Sequence, residues 1–477
     1  MNAAAVRLSP VPGRQTMLDR ANPMASAVAF ARRAAVDGDP GIVTVGGETY
    51  RWQGGFWEVF PEDAVRAELW LWTSRECVDA EGNPFKPTGA RVQDIAAALA
   101  ALSRHDVDAT SAWLRSMPGD ADPADLIVCQ NGILNARTRR MMAPTARLFA
   151  VNVLPIDADP LAPAPEAWLA FLDQLFGGDR EALELLQEWV ALSALTRDTS
   201  HQKALLIIGP KRSGKGTVLR ILRALAGATN VCSPTFSSLG TPFGLQPLIG
   251  KLVALLSDAR LSSRTDLAVL AEVILRVTGE DAVTVPRKFQ TDWTGTLPVR
   301  FTVVSNELPN LADASGALAS RFLVLRLTRS FYGAEDHTLT DRLLVELPGI
   351  LNWALDGLDR LRKRGHLVQP HSGQELVDEL EALASPITMF ARDCCVLDPA
   401  AEGAISALYE RWLEWCRENG RDHPGTVASF GKQLCAAFPE LRKTQPRRQG
   451  RQVRCYAGIR PRTGMDLETA DGLDLAF

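Results

Sequence analysis

The stretch Ile207–Leu222, IIGPKRSGKGTVLRIL, decides how the middle of this 477-residue chain folds. Two apolar residues lead into a loop in which Gly209 and Gly214 enclose four residues, and Lys215 follows. This is nearly the phosphate-binding pattern G-x-x-x-x-G-K-[ST], whose glycines let backbone amides turn toward phosphate at a helix N-terminus. Gly216 departs from it, because a residue with a metal-binding hydroxyl is expected there. The stretch predicts a strand, a phosphate loop and a helix.

Lys215 is predicted to bind the β- and γ-phosphates of ATP as a mobile point charge. Thr217, one residue beyond Gly216, must supply any hydroxyl, and it either reaches Mg²⁺ through water or holds the α-phosphate. The predicted nucleotide cradle is Gly209, Pro210, Lys211, Arg212, Ser213, Gly214, Lys215, Gly216, Thr217 and Val218.

Short apolar runs at 204–208, 251–256 and 299–305 alternate with helical patterns, which predicts a mainly parallel α/β sheet. Asp258 follows the second run and is a candidate Mg²⁺ ligand. Asn306 follows the third; it either orients the attacking water or simply forms a turn. Farther on, Arg321 is either a surface charge or an arginine finger that acts on a neighbouring subunit's nucleotide.

Composition adds limits. With 46% hydrophobic residues, 23% charged residues and a net charge of −4, the chain resembles an ordinary globular protein. No apolar run approaches the roughly 18 residues of a membrane helix, and the N-terminus lacks a signal-peptide pattern, so we expect a cytoplasmic protein. Eight cysteines without a C-x-x-C pair predict reduced core thiols.

The flanking segments predict further domains. Residues 1–40 are predicted to be an N-terminal extension that is partly disordered. Residues 41–195 are predicted to form a domain that combines a β-meander (42–60) with helices and a Pro-rich linker (154–168). The ATPase domain spans 196–365. Residues 375–477 are mostly helical and end in a stretch, 442–462, that carries eight Lys or Arg and no Asp or Glu. That stretch is either a solvated tail or a nucleic-acid contact.

The order of these motifs resembles the phage/plasmid primase–helicase family within the superfamily 3 helicases, which includes satellite-phage and poxvirus-type NTPases. The resemblance rests on Gly209–Thr217, Asp258, TGEDAVTVPRK (278–288), VVSNELP (303–309) and SGALASRF (315–322), and it extends over about 42–462. It implies a P-loop AAA+-like core, an α+β, mostly helical domain before it and a winged-helix-like DNA-binding domain after it.

The resemblance also implies roles. Lys215, Asp258, Asn306 and Arg321 would be catalytic, with Thr217 and Asp258 holding Mg²⁺. Lys288 and its neighbour Arg287 match a hairpin that binds single-stranded DNA in a ring channel; the less favoured alternative is that PRK is merely a charged turn. The C-terminal DNA contacts would be Arg447, Arg448, Arg451 and Arg454.

Two departures from the family pattern matter. The second motif reads Ser257-Asp258-Ala259 where many relatives carry two acids, so Asp258 serves alone or Glu280 or Asp281 contributes. Only about 200 residues precede the phosphate loop, and the D-x-D at 157–159 lacks supporting residues. We therefore do not expect primase activity.

The predicted function is ATP-driven unwinding of forked DNA by a homo-oligomeric ring, expected to be hexameric, that translocates on single-stranded DNA. It would act in replication of a phage, plasmid or integrated element and would work with replication-initiation partners. No membrane association is expected. The first alternative is a non-unwinding P-loop ATPase acting as initiator, loader or assembly switch. A more distant one is a small-molecule kinase, since such loops also read G-K-G-T.

Overall fold

A computed structural model describes residues 15–107, 111–257, 267–288, 291–308, 318–384, 386–419, 424–448 and 451–462. Within these ranges no helix is both long and apolar enough to cross a membrane. All eight cysteines lie in the described residues and are free, and six of them are buried, as the sequence predicts.

The N-terminal part is a helical cluster with a small β-meander on it. Its elements are β1 (Thr16–Met17), α1 (Pro23–Ala34), β2 (Ile42–Val45), β3 (Glu48–Trp52), β4 (Trp57–Val59), α2 (Glu62–Glu76), β5 (Cys77–Val78) and α3 (Gly89–Leu102). The strands β2, β3 and β4 pair antiparallel in chain order, which confirms the predicted meander. Phe30 of α1 is buried with residues of α2 and α3, and β1 pairs with β5. From Thr16 onward the predicted extension is therefore an ordered part of this domain.

A second, four-stranded sheet connects this part to the core. Its region contains β6 (Ser111–Trp113), β7 (Leu126–Cys129), β8 (Gly132–Asn135), β9 (Arg140–Met142), β10 (Leu148–Ala150) and β11 (Val153–Leu154). The sheet order is β11-β7-β8-β9. The turn from β7 to β8 passes through Gly132 at φ 149, as the Asn-Gly pair predicts.

The predicted Pro-rich linker (154–168) is not a free linker, and its last three residues already belong to a helix. Leu154, Ile156 and Ala158 are buried in the largest hydrophobic cluster of the protein. A Cβ on Gly349 would lie 2.5 Å from the carbonyl oxygen of Pro163, so the segment runs directly against a later helix. Apolar residues between the prolines explain the difference, because they give this irregular segment a face to bury.

Two helices lead into the central sheet: α4 (Glu166–Phe176) and α5 (Arg180–Leu195). Buried residues occupy every side of α5 in its second half, from Leu185 to Leu195. Among them is Glu188, which is 0% exposed and is paired with Arg360 and Arg364. These helices belong to the same hydrophobic cluster as the sheet, so the predicted boundary at 195 crosses a continuous core.

The central sheet contains β12 (Ala204–Ile208), β13 (Val231–Cys232), β14 (Val253–Ser257), β17 (Arg300–Ser305) and β18 (Phe322–Arg326). Between them lie α6 (Lys215–Ala226), α7 (Phe236–Leu239), α8 (Leu267–Thr278) and a hairpin of β15 (Val283–Val285) with β16 (Trp293–Gly295). The order is β13-β14-β17-β12-β18 and every pair is parallel. The predicted parallel α/β sheet is confirmed, and both its faces are covered by separate apolar clusters.

After the sheet come α9 (Leu339–Val345), α10 (Leu347–Arg364) and α11 (Gln374–Ala384). Leu380 of α11 is buried in the cluster under the sheet. Helix α11 therefore packs with the central domain, whereas residues from 375 onward were predicted to belong to the C-terminal domain.

The C-terminal part has its own apolar cluster, which begins at Ile387. Its elements are α12 (Pro386–Cys394), β19 (Cys395–Ala404), α13 (Ile405–Glu418), α14 (Val427–Ala437), β20 (Arg442–Thr444), β21 (Arg447–Arg448), β22 (Arg451–Gln452) and β23 (Cys455–Pro461). The sheet β19-β23-β20 is antiparallel, and the short hairpin β21–β22 extends from it between β20 and β23.

Candidate nucleotide and DNA site

The phosphate loop joins β12 to α6, as predicted. Gly214 has φ 89 at the helix N-cap, and a Cβ there would lie 2.7 Å from Leu175 Cδ2. A Cβ on Gly209 would lie 2.7 Å from the carbonyl oxygen of Leu327. Both positions therefore require glycine. Gly216 does not, because the nearest atom to a Cβ there is a terminal guanidinium nitrogen of Arg220 at 3.9 Å.

The Lys215 ammonium is surrounded by acceptors. Nζ donates to the carbonyl oxygens of Gly209 and Pro210 at 2.6 and 2.8 Å, to Ser213 Oγ at 3.1 Å and to Asn306 Oδ1 at 3.2 Å. Burial lowers its pKa below the usual value of a lysine. A polyphosphate would compensate that loss of hydration, because an anion favours the charged form of the ammonium.

Two predicted catalytic residues thus meet. Asn306 directly follows β17, and β17 lies beside β12, so both polar groups are at the carboxyl edge of the parallel sheet. On the other side of β17, β14 ends at Ser257; Asp258, the predicted metal ligand, lies outside the described residues.

Glu280, the predicted alternative to Asp258, is placed elsewhere. Its Oε1 accepts a hydrogen bond from Thr199 Oγ1 at 2.6 Å, and its charge acts on Arg300, the first residue of β17. Because β17 has six residues, this is the opposite edge of the sheet, roughly 20 Å from Asn306. Glu280 therefore does not share a site with Lys215 in one chain.

The Thr217 hydroxyl is engaged by a cation. Thr217 is buried, and its Oγ1 accepts a hydrogen bond from Arg220 at 3.0 Å. A guanidinium at this position opposes a second cation. The described residues alone therefore do not form a Mg²⁺ site.

The segment after β18 lies against the phosphate loop, which sequence reasoning missed. Ser330 Oγ donates to the carbonyl oxygen of Lys211 at 2.8 Å, and the Phe331 amide donates to that of Arg212 at 2.9 Å. Arg212, which has φ 61, also pairs with Glu335 at 3.5 Å. The parallel pairing of β18 with β12 causes this proximity, and the sequence motif gives no sign of it.

Arg321 lies away from these residues. It directly precedes β18, and its guanidinium donates to the carbonyl oxygen of Gln202 at 3.3 Å and to the amide oxygen of the same side chain. Since β18 has five residues, Arg321 is roughly 16 Å from the edge that carries Lys215. The structure does not bring Arg321 together with Lys215 and Asn306 within one chain.

The two predicted hairpin cations have separate partners. Arg287 pairs with Glu48 of β3 at 3.2 Å and is 16% exposed at its side chain. Lys288 is exposed, and its Nζ lies 5.6 Å from the ring centroid of Phe243. Phe243 is itself 41% exposed, and sequence reasoning missed it. Its only signal in the sequence was a lone aromatic residue in a Gly-Pro loop.

Three of the four predicted C-terminal DNA contacts lie in one hairpin. Arg447 faces Gln452 and Arg448 faces Arg451 in the β21–β22 register, and Arg454 follows that hairpin. Arg447 and Arg454 are exposed. The basic stretch is therefore a folded arm of the C-terminal domain rather than a tail.

The flanking parts of the chain match known families. Residues 42–177 match the family described as D5 N terminal like, and residues 384–460 match that described as Poxvirus D5 protein-like. Residues 207–321, which contain the phosphate loop, match a family of unknown function, DUF5906.

Solved structures similar to most of the chain include two of the NrS-1 C-terminal region. The A form apo structure is 12% identical, with a TM-score of 0.51, and covers 92% of this chain and 100% of that one. A second apo structure is also 12% identical, with a TM-score of 0.51, and the match covers 91% of this chain and 99% of that one. At this identity the likeness concerns the fold. The two D5-type matches cover separate parts of the chain, one before and one after the phosphate loop.

Proposed function

We propose that this protein of the D5-like type is an ATP-dependent, ring-forming DNA helicase of superfamily 3, acting in replication of a phage, plasmid or integrated element. The observation that carries the proposal is the 3.2 Å contact between Lys215 Nζ and Asn306 Oδ1 at the carboxyl edge of a parallel sheet. Strand, glycine-bounded loop and helix surround that contact, as a triphosphate site requires.

The position of Arg321 supports a site shared between copies of the chain. Lys215 and Arg321 lie at opposite edges of one sheet, so one subunit's Arg321 cannot reach its own phosphate loop. A ring in which each subunit presents one edge to the next would bring them together. The strand order β18-β12-β17-β14-β13 supports an AAA+-like core, since it sets the loop-bearing strand β12 beside β17, the strand that Asn306 directly follows. The hexameric number comes from the family resemblance alone.

In such a site the chain's own groups have distinct tasks. Lys215 would exchange its loop carbonyls for phosphate oxygens and stabilise the charge that develops during transfer. Asn306 would accept a hydrogen bond from the attacking water and orient it. Arg321 of a neighbouring subunit would stabilise the same developing charge from the other side.

DNA contact is supported by two surfaces. Lys288 and Phe243 place an exposed cation beside an exposed aromatic ring, which is the combination that holds single strands through phosphate charge and base stacking. The C-terminal domain runs helix, strand, two helices, strand, hairpin and strand, which supports a winged helix with Arg447 and Arg454 on its arm. Both surfaces bind backbone charge, so affinity should fall steeply with salt.

The decisive experiment measures native mass and strand displacement on one preparation. The wild-type chain with ATP and a forked DNA should form rings and displace a labelled strand. Lys215→Ala should abolish both hydrolysis and displacement. Lys251→Ala is the matched control, because its Nζ also bonds a backbone carbonyl, that of Thr229, at 2.6 Å, outside the phosphate loop. Unchanged hydrolysis in Lys215→Ala would refute the site.

Hydrolysis without displacement by an assembled ring would instead support the non-unwinding ATPase. Mixed rings test the shared site separately. Subunits carrying Arg321→Ala should inactivate wild-type neighbours, so activity should fall faster than their fraction rises. A strictly proportional loss would show that Arg321 does not act on a neighbour.

A further inference from the structure

The phosphate loop has a defined direction across the sheet. The contact between Lys215 and Asn306 marks the terminal-phosphate end, on the β17 side of β12. A nucleotide bound along the loop must then extend its other end away from β17. The strand on the opposite side of β12 is β18, so the base of the nucleotide would lie near the segment that leaves β18.

That segment is held firmly to the loop. Ser330 and Phe331 bond the carbonyls of Lys211 and Arg212, and Glu335 pairs with Arg212. Phe331 packs against the central hydrophobic cluster. Its neighbour Tyr332 is instead 82% exposed, more than any other aromatic residue in the described ranges.

An aromatic ring kept in water costs hydrophobic free energy unless something covers it. Tyr332 directly follows Phe331, whose amide bonds the phosphate loop. The Tyr332 amide donates a hydrogen bond to Ser330 Oγ at 3.3 Å, which also fixes its backbone. The backbone that carries the ring is therefore fixed beside the loop, on the side away from the terminal phosphate.

We propose that Tyr332 stacks on the base of the bound nucleoside triphosphate and so supplies the base-binding half of the nucleotide site. This inference rests on the proposed ATP site and deepens it. Stacking accepts any base, because every base presents a π-face. The site should therefore distinguish a nucleoside triphosphate from a bare polyphosphate, while tolerating exchange of adenine for guanine.

The test compares equilibrium binding of ATP and of inorganic tripolyphosphate by calorimetry, on the full chain. Tyr332→Ala should weaken ATP binding at least about fivefold, the lower end of the loss expected when one base loses its aromatic partner. Tripolyphosphate binding should be unchanged. Tyr332→Phe should keep ATP affinity. Val345→Ala, at a residue that is also 82% exposed but lies in α9, should change neither.

Two results would overturn the inference: unchanged ATP affinity in Tyr332→Ala, or an equal loss for ATP and tripolyphosphate, which would show a structural effect on the loop. Lys215→Ala distinguishes the proposed phosphate site from the proposed base site, since it should weaken the binding of both ATP and tripolyphosphate. If Lys215→Ala binds both as tightly as wild type, the phosphate site itself is wrong and the base site falls with it.

Discussion

Two glycines of the phosphate loop, two residues apart, should respond oppositely to alanine. Gly214→Ala places a side chain at φ 89, which costs about 1–2 kcal/mol for the left-handed conformation. Its Cβ would also lie 2.7 Å from Leu175 and 3.2 Å from Phe171, and overpacking adds about 1–3 kcal/mol. We expect a destabilisation of about 2–5 kcal/mol.

Gly216→Ala should instead stabilise the protein. The position is in the first turn of α6, its φ is not positive, and the nearest atom to a new Cβ is 3.9 Å away. Replacing a helical glycine with alanine contributes about 0.5–1 kcal/mol.

The assay is urea unfolding followed by tryptophan fluorescence, with ATP binding as a second measurement. A difference of several kcal/mol between the variants should separate their midpoints by about 1 M or more, given slopes of about 3 kcal/mol per M. Gly216→Ala should also bind ATP, because its backbone amide remains. If Gly216→Ala lowered the midpoint as far as Gly214→Ala does, the reasoning from space and φ would be refuted.

Three further predictions follow from described contacts. Glu188→Gln leaves two arginines of α10 without their buried carboxylate and should cost about 3–5 kcal/mol in urea unfolding; the partly exposed Glu184→Gln is the control, and an equal effect of both would contradict the burial argument. Burial lowers the pKa of Lys215, and a bound polyphosphate favours the charged form of its ammonium, so ATP affinity should be constant near neutral pH and fall as pH rises through that lowered pKa. Calorimetry should show proton uptake on ATP binding, and Lys215→Arg should abolish that uptake. ATP affinity that stays constant up to the usual pKa range of lysine would contradict this prediction. Glu48→Gln frees Arg287 and should tighten binding of a labelled single strand about two- to fivefold in fluorescence anisotropy, since a pair of this exposure is worth at most about 1 kcal/mol; weaker binding would show that the pair supports the site instead.

Local pattern was sufficient for the elements around the phosphate loop. Glycine spacing, an apolar run before it and helical periodicity after it are properties of adjacent residues, so the predicted strand and helix are confirmed at 204–208 and 215–226. The contact between Lys215 and Asn306 was also within reach, because parallel strands bring their carboxyl ends to one edge.

Features that depend on distant parts of the chain were not predictable in this way. The apolar residues of the Pro-rich segment show no helix or strand period in the sequence, and their burial depends on a cluster that later parts of the chain complete. Arg287 was expected to face DNA, but its partner Glu48 is 239 residues away. Tyr332 gave no periodic or motif signal, since its significance comes from which strand lies next to β12. Prediction from sequence was weakest where function depends on which elements become neighbours.

The burial of α5 has a consequence for how the chain is made. Its residues Gln187 and Glu188 bond Trp353 and Arg360, which are 166 and 172 residues later. At about 5–20 residues per second, synthesis leaves the helix without these partners for roughly 10–30 s. During that time α4 and α6 can already pack on α5, but the side of the helix that carries Glu188 lacks its partner α10. Ribosome-bound chains arrested near residue 300 should therefore be cut by protease within 180–195, and chains that include α10 should resist; equal resistance of both would show that α5 is protected before its partners exist.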